Sequence, residues 1–123
     1  MEVSAQLRDL YPDGVFPEAC ASRTLLDHVM SKWGVLVLLA LSEGEPLRWS
    51  ELRRRAQGVS EKMLAQTLRT LAADGLVLRD AKPVVPPHVE YALTPAGAQL
   101  AAHLVPLMQW IAGHAGDAEP GAV

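Results

Sequence analysis

Lys62, Gln66 and Arg69 stand four and then three residues apart in SEKMLAQTLRTLAADGLVLR, residues 60 to 79. On a helix that spacing stacks them on one face. All three side chains are of kinds that read base edges. Arg and Lys donate to guanine O6 and N7, and Gln pairs bidentately with adenine. Ser60 and the free backbone amides of a helix start can hold a phosphate. Arg53 and Arg54, just upstream, suit backbone contacts that position a protein without specifying a sequence. The same residue types also solvate ordinary exposed helix faces, so their surroundings must decide between the two readings.

Charge is the first of those surroundings. The chain has 123 residues and a formal net charge of -3. Residues 48 to 82 nevertheless hold eight basic groups against four acidic ones, a local +4 that leaves -7 elsewhere. A basic centre in an acidic chain points to a local anionic partner.

Other chemistries find little support. The histidines are His28, His88, His103 and His114, and none stands in a Cys-x-x-Cys or His-Glu-x-x-His pattern. No Gly-x-Ser-x-Gly turn and no phosphate-binding glycine loop occurs. The expectation is a protein that is not an enzyme and has no cofactor and no metal. Cys20 is the one cysteine, so no disulfide can form within a chain, and the sequence reads as cytoplasmic. The N-terminus lacks a basic start followed by an apolar run. The longest apolar run is residues 33 to 41, well short of the roughly 20 residues of a membrane span.

The elements that must position these residues follow from periodicity and caps. Residues 1–18 read as an arm with a short helix around Ala5 to Leu10, residues 19–114 as one domain, and 115–123 as a flexible tail. Leu25, Leu26, Val29 and Met30 recur at helical spacing over Ala21 to Met30. Lys32-Trp33-Gly34 reads as a corner, and residues 34 to 42 as a buried helix. Ser50 is the expected N-cap of a short helix over 51 to 57, which Gly58 ends. Ser60 caps the next helix, in which Leu64, Leu68, Leu71 and Ala72 form the inward stripe. Asp74-Gly75 stops it. Residues 76 to 82 and 89 to 94 alternate as strands, and the prolines between them make a stiff tip. Thr94-Pro95 opens the last helix, and Pro106 should kink it.

Helix, Gly-containing turn, helix, then hairpin is a winged helix-turn-helix, an α+β fold. Its second helix enters the DNA major groove, and the hairpin lies along the backbone or minor groove. Lys82 is the wing's candidate contact. The last helix carries Leu100, Leu104, Leu107, Met108, Trp110 and Ile111. So small a domain leaves that apolar stripe little core to cover, so a second copy of the same helix is its expected partner.

From about Cys20 to Trp110 the chain resembles the HxlR-type branch of bacterial winged-helix transcription regulators. The resemblance is carried by Cys20, Lys32-Trp33, WSELRRRAQGVSEKMLAQTLRTLAADGLVLR, VPPHVEYALTPAG and Trp110. It implies a homodimeric DNA-binding regulator, a repressor or an activator with repression the expected sign. It also implies that the N- and C-terminal helices form the dimer interface, and that the target is a palindromic operator in double-stranded DNA. Thr67 and His88 stand where the family often has Arg, and are counted as contacts on that ground. Ala21 replaces a frequent Pro, and Met30-Ser31 a frequent glycine-containing pair. Cys20 occupies the position of the switch cysteine in redox- and electrophile-sensing members. It stands before a helix start, a setting that activates thiols, with Glu18 opposing; a small buried hydrophobe is the other reading. Two further readings stay open. One is a protein-interaction module without DNA binding. The other is a regulator that takes a small apolar effector between its first and last helices.

Overall fold

The computed structural model describes Asp9 and residues 20–116. Asp9 is helical; the rest of the expected arm helix, and the tail beyond Gly116, lie outside the described residues. The elements are α1 (Ala21–Val29), α2 (Lys32–Leu41), α3 (Trp49–Arg55), α4 (Glu61–Ala73), β1 (Val77–Lys82), β2 (His88–Leu93) and α5 (Pro95–Ala115).

α2 is the central element. Its sequence KWGVLVLLAL is apolar almost all round, and Val37, Leu38 and Leu41 are buried. A helix apolar on every side must be covered on every side, and α2 touches α1, α3, α4, α5 and β2. The corner falls earlier than expected. The chain bends by 70° between α1 and α2, at Met30-Ser31, and Lys32-Trp33-Gly34 is the first turn of α2. Ser31 explains the shift. Its Oγ accepts from the Gly34 amide at 3.1 Å and donates to the His28 carbonyl at 3.0 Å. Gly34 is required there, since a Cβ would lie 2.5 Å from that same carbonyl oxygen.

α3 also begins before its expected start. Arg48, not Ser50, is the N-cap. The Glu51 carboxylate accepts from the Arg48 amide at 3.1 Å, which satisfies a backbone donor that no intrahelical carbonyl can reach. Ser60 caps α4 as expected, accepting from the Met63 amide at 3.0 Å. Leu64, Leu68 and Leu71 face the core. Ala72 is exposed, and Thr67 takes its place on the buried side. Gly75, at φ +77°, ends α4.

β1 and β2 pair antiparallel, with Val77 opposite Leu93, Arg79 opposite Tyr91 and Lys82 opposite His88. Leu47 exchanges two backbone hydrogen bonds with Tyr91 at 2.8 and 2.9 Å, so the hairpin is anchored along its β2 side. α5 starts at Thr94, whose Oγ1 accepts from the Gly97 amide at 3.1 Å and donates to the Gly75 carbonyl at 2.6 Å. Pro106 sits inside α5 without ending it.

One expectation about α5 is corrected here. Leu104 is only 4% exposed in the single chain, and Leu100 packs on the same core. Leu104 is therefore covered by its own chain, while Leu100 is only partly buried. Leu107, Trp110 and Ile111 stay exposed, and Met108 is partly covered.

Candidate nucleic-acid interface

α4 presents Lys62, Gln66 and Arg69 on its exposed side. None of the three has a hydrogen-bond or ion-pair partner among the described residues. The helix-turn-helix geometry and the packing of Leu64, Leu68 and Leu71 on α2 turn this face outward. Ser60 is exposed at the start of α4; its hydroxyl is engaged by the Met63 amide, which leaves the first-turn amides of Glu61 and Lys62 as donors.

Thr67 does not belong to this face. It is 8% exposed, because position 67 falls three residues after Leu64 and one before Leu68, inside the buried arc. As a DNA contact it is corrected: the site frequently occupied by Arg in the family here holds a short side chain turned to the protein.

On α3, Arg54 is exposed with no partner among the described residues. Arg53 pairs with Glu61 at 3.3 Å, both side chains largely exposed. Such a surface pair is worth about 0–1 kcal/mol, so a phosphate can compete for Arg53. Arg55 pairs with Glu43.

The wing has two unlike faces, because strand residues alternate. One face carries Val77, Arg79, Tyr91 and Leu93 and packs toward the domain. The other carries Asp80, Lys82, His88 and Glu90. On that second face the charges satisfy each other. Lys82 Nζ lies 2.7 Å from Asp80 and 3.9 Å from Glu90. The hydrogen bond and charge of Asp80 hold its ammonium above the ordinary lysine value. The Arg48 guanidinium donates to His88 Nδ1. His88 Nε2 lies 3.1 Å from Glu90 Oε2 without the alignment of a hydrogen bond. Both wing residues singled out from sequence are thus held in a ladder of internal pairs. The wing cation that faces α4 is Arg79, exposed and without a partner among the described residues. Sequence reasoning passed over it, although counting by twos from the apolar Val77 would have placed it on the α4 side.

A family model described as HxlR-like helix-turn-helix matches residues 28–119. The chain belongs to the HxlR family. It is therefore a helix-turn-helix transcription regulator and not an enzyme. This HxlR-family chain is 52% identical over 111 residues to the HTH-type transcriptional regulator YtfH of Escherichia coli K12, covering 90% of this chain and 85% of that one. It matches the structure of YtfH from Salmonella typhimurium with a TM-score of 0.78 at 51% identity, over 85% of this chain and 92% of that one. The redox regulator HypR in its oxidised form matches with a TM-score of 0.70 at 33% identity, over 76% and 96% of the two chains.

In this HxlR-family chain Cys20 is the N-cap residue of α1, partly exposed, and its thiol makes no capping bond. Leu25 and Leu26 of α1 and its C-cap residue Met30 are exposed. With Val29, Leu76, Leu100 and Leu104 they line an apolar groove of about 380 Å3 between α1 and α5. His28, in the last turn of α1, lies 2.8 Å through Nδ1 from Asp74, the C-cap residue of α4. His103 and His114 are exposed, and the His114 ring stacks on Trp110 at 4.1 Å. Among the described residues no group of three or more His, Cys, Asp or Glu side chains is placed to hold a metal ion. No single described helix is long and apolar enough to cross a membrane.

Proposed function

We propose that this regulator binds a palindromic operator as a homodimer, with α4 in the major groove. The observation that carries the reading is the outward face of α4, where three base-reading side chains stand exposed and uncommitted. Gln66 and Arg69 read bases, Lys62 reads a base or a phosphate near the helix start, and the α4 amides with Arg53 and Arg54 hold the backbone. Arg79 extends the contact across the adjoining backbone. Lys82 and His88 contribute once their internal pairs give way. Occupying promoter DNA blocks transcription with no further contact, so repression is the proposed sign.

Exposed Leu107, Trp110 and Ile111, with Leu25 and Leu26 of α1 and its C-cap residue Met30, supply an apolar surface suited to a second copy. A small apolar effector can enter the α1–α5 groove. Cys20, partly exposed at the start of α1, suits an oxidant sensor. The test is selection of bound sequences from genomic DNA, followed by titration of the selected site. Specific binding should weaken steeply as salt rises, and diamide should release the wild type but not Cys20→Ser. The self-paired outer face of the wing favours a second reading, a protein-interaction module. Failure to enrich any DNA sequence would favour that reading over the first.

A further inference from the structure

Arg69 on α4 and Arg79 on β1 line one cleft, a cavity of about 260 Å3 between the helix and the wing. Its other walls include Trp49, Leu68, Ala72 and Tyr91. Leu68 and Tyr91 are buried, at 4% and 9% exposure. Neither guanidinium has a partner among the described residues, whereas Arg53 and Arg55 nearby are paired with Glu61 and Glu43. The cleft therefore combines two uncompensated cations with an apolar floor that is partly aromatic.

Those two properties select a ligand class together. A bare phosphate would use the cations and leave the floor unfilled. A neutral hydrocarbon would use the floor and leave the cations unpaired. An aromatic ring bearing a carboxylate satisfies both: the ring lies on Trp49 or Tyr91, and the carboxylate takes charge-assisted hydrogen bonds from arginine. Size narrows the class. An apolar cavity of about 150 Å3 holds a benzene, and pockets for drug-sized ligands begin at about 300 Å3. The volume here suits one ring and its acid group.

We propose that this cleft binds a monocyclic aromatic carboxylate, which acts as an effector. The bound acid neutralises Arg69 and Arg79 and fills the space between recognition helix and wing, so it competes with the DNA backbone. Ligand binding stands on the cleft alone; the effector role rests on the DNA-binding reading above.

The test starts with calorimetric titration of DNA-free protein with benzoate, benzamide and inorganic phosphate. Benzoate should bind once per chain, and the other two at least about tenfold more weakly. Arg79→Gln should weaken benzoate by about tenfold or more. Ala72→Leu, which fills the cleft and keeps both arginines, should do the same without lowering the melting temperature. Phosphate binding as well as benzoate, benzamide binding as well, or Arg79→Gln retaining benzoate would each overturn the assignment. Benzoate is then added to the complex with the selected DNA site, and should release it. Benzoate binding that leaves that complex intact would overturn the effector role. DNA binding with no benzoate binding removes the cleft ligand and keeps the DNA reading. Benzoate binding by a chain that selects no DNA does the reverse.

Discussion

Arg69→Ala separates a base-reading residue from an ornamental one. Arg69 is exposed and has no partner among the described residues, and its replacement leaves no buried group behind. Folding stability should then change by no more than about 0.5 kcal/mol, so any loss of DNA binding is a loss of contact. A bidentate arginine–guanine pair contributes about 1–3 kcal/mol, and a symmetric dimer loses it at both half-sites. The selected operator should therefore be bound about 2–6 kcal/mol more weakly, while scrambled DNA loses far less. Arg69→Lys keeps the charge and loses the planar fork, so it should fall between the two. Fluorescence anisotropy with labelled operator and scrambled duplexes at matched salt measures both, with urea melts alongside. Equal weakening on the two duplexes would mean that Arg69 holds only phosphate. Unchanged operator binding would mean that this face of α4 does not read DNA.

Other expectations follow from the packing. Leu104→Ala should cost about 2–5 kcal/mol of folding stability, because Leu104 is buried in its own chain; urea melts at two protein concentrations would show the same loss. Trp110→Ala, at a side chain 60% exposed, should instead raise the dimer dissociation constant in sedimentation equilibrium. Thr94→Val removes both the acceptor for Gly97 and the donor to Gly75, and should cost about 2 kcal/mol in the same melts. Gly97→Ala brings a Cβ to 2.1 Å from the Leu76 carbonyl oxygen, and should reach or exceed the upper end of the about 1–3 kcal/mol typical of overpacking.

Local signals in the sequence were reliable guides where one residue decides the outcome. Ser60 and Thr94-Pro95 mark their helix starts because a cap acts within three residues. The start of α3 was missed because two signals compete over the same turn. Ser50 looks like a cap, but Glu51 reaches back to the Arg48 amide and moves the boundary upstream. Thr67 was misplaced because the family's arginine suggested an outward position that the helical arc of Leu64, Leu68 and Leu71 contradicts. Leu104 was misassigned for a different reason: an apolar stripe shows that a face is covered, not which chain covers it. The Arg48–His88 contact joins residues 40 apart, and nothing in local spacing announces it. Arg79 was legible and overlooked, since strand parity alone separates it from Lys82.

The trailing end of α4 is fastened twice. His28 of α1 holds Asp74, and Thr94 at the head of α5 holds the Gly75 carbonyl. A rod tied at this end to α1 and to the head of α5 resists swivelling alone. In the proposed dimer the distance between two such rods would then be dictated by how the subunits sit together, and an operator stretched by a base pair or two would find no slack to accommodate it.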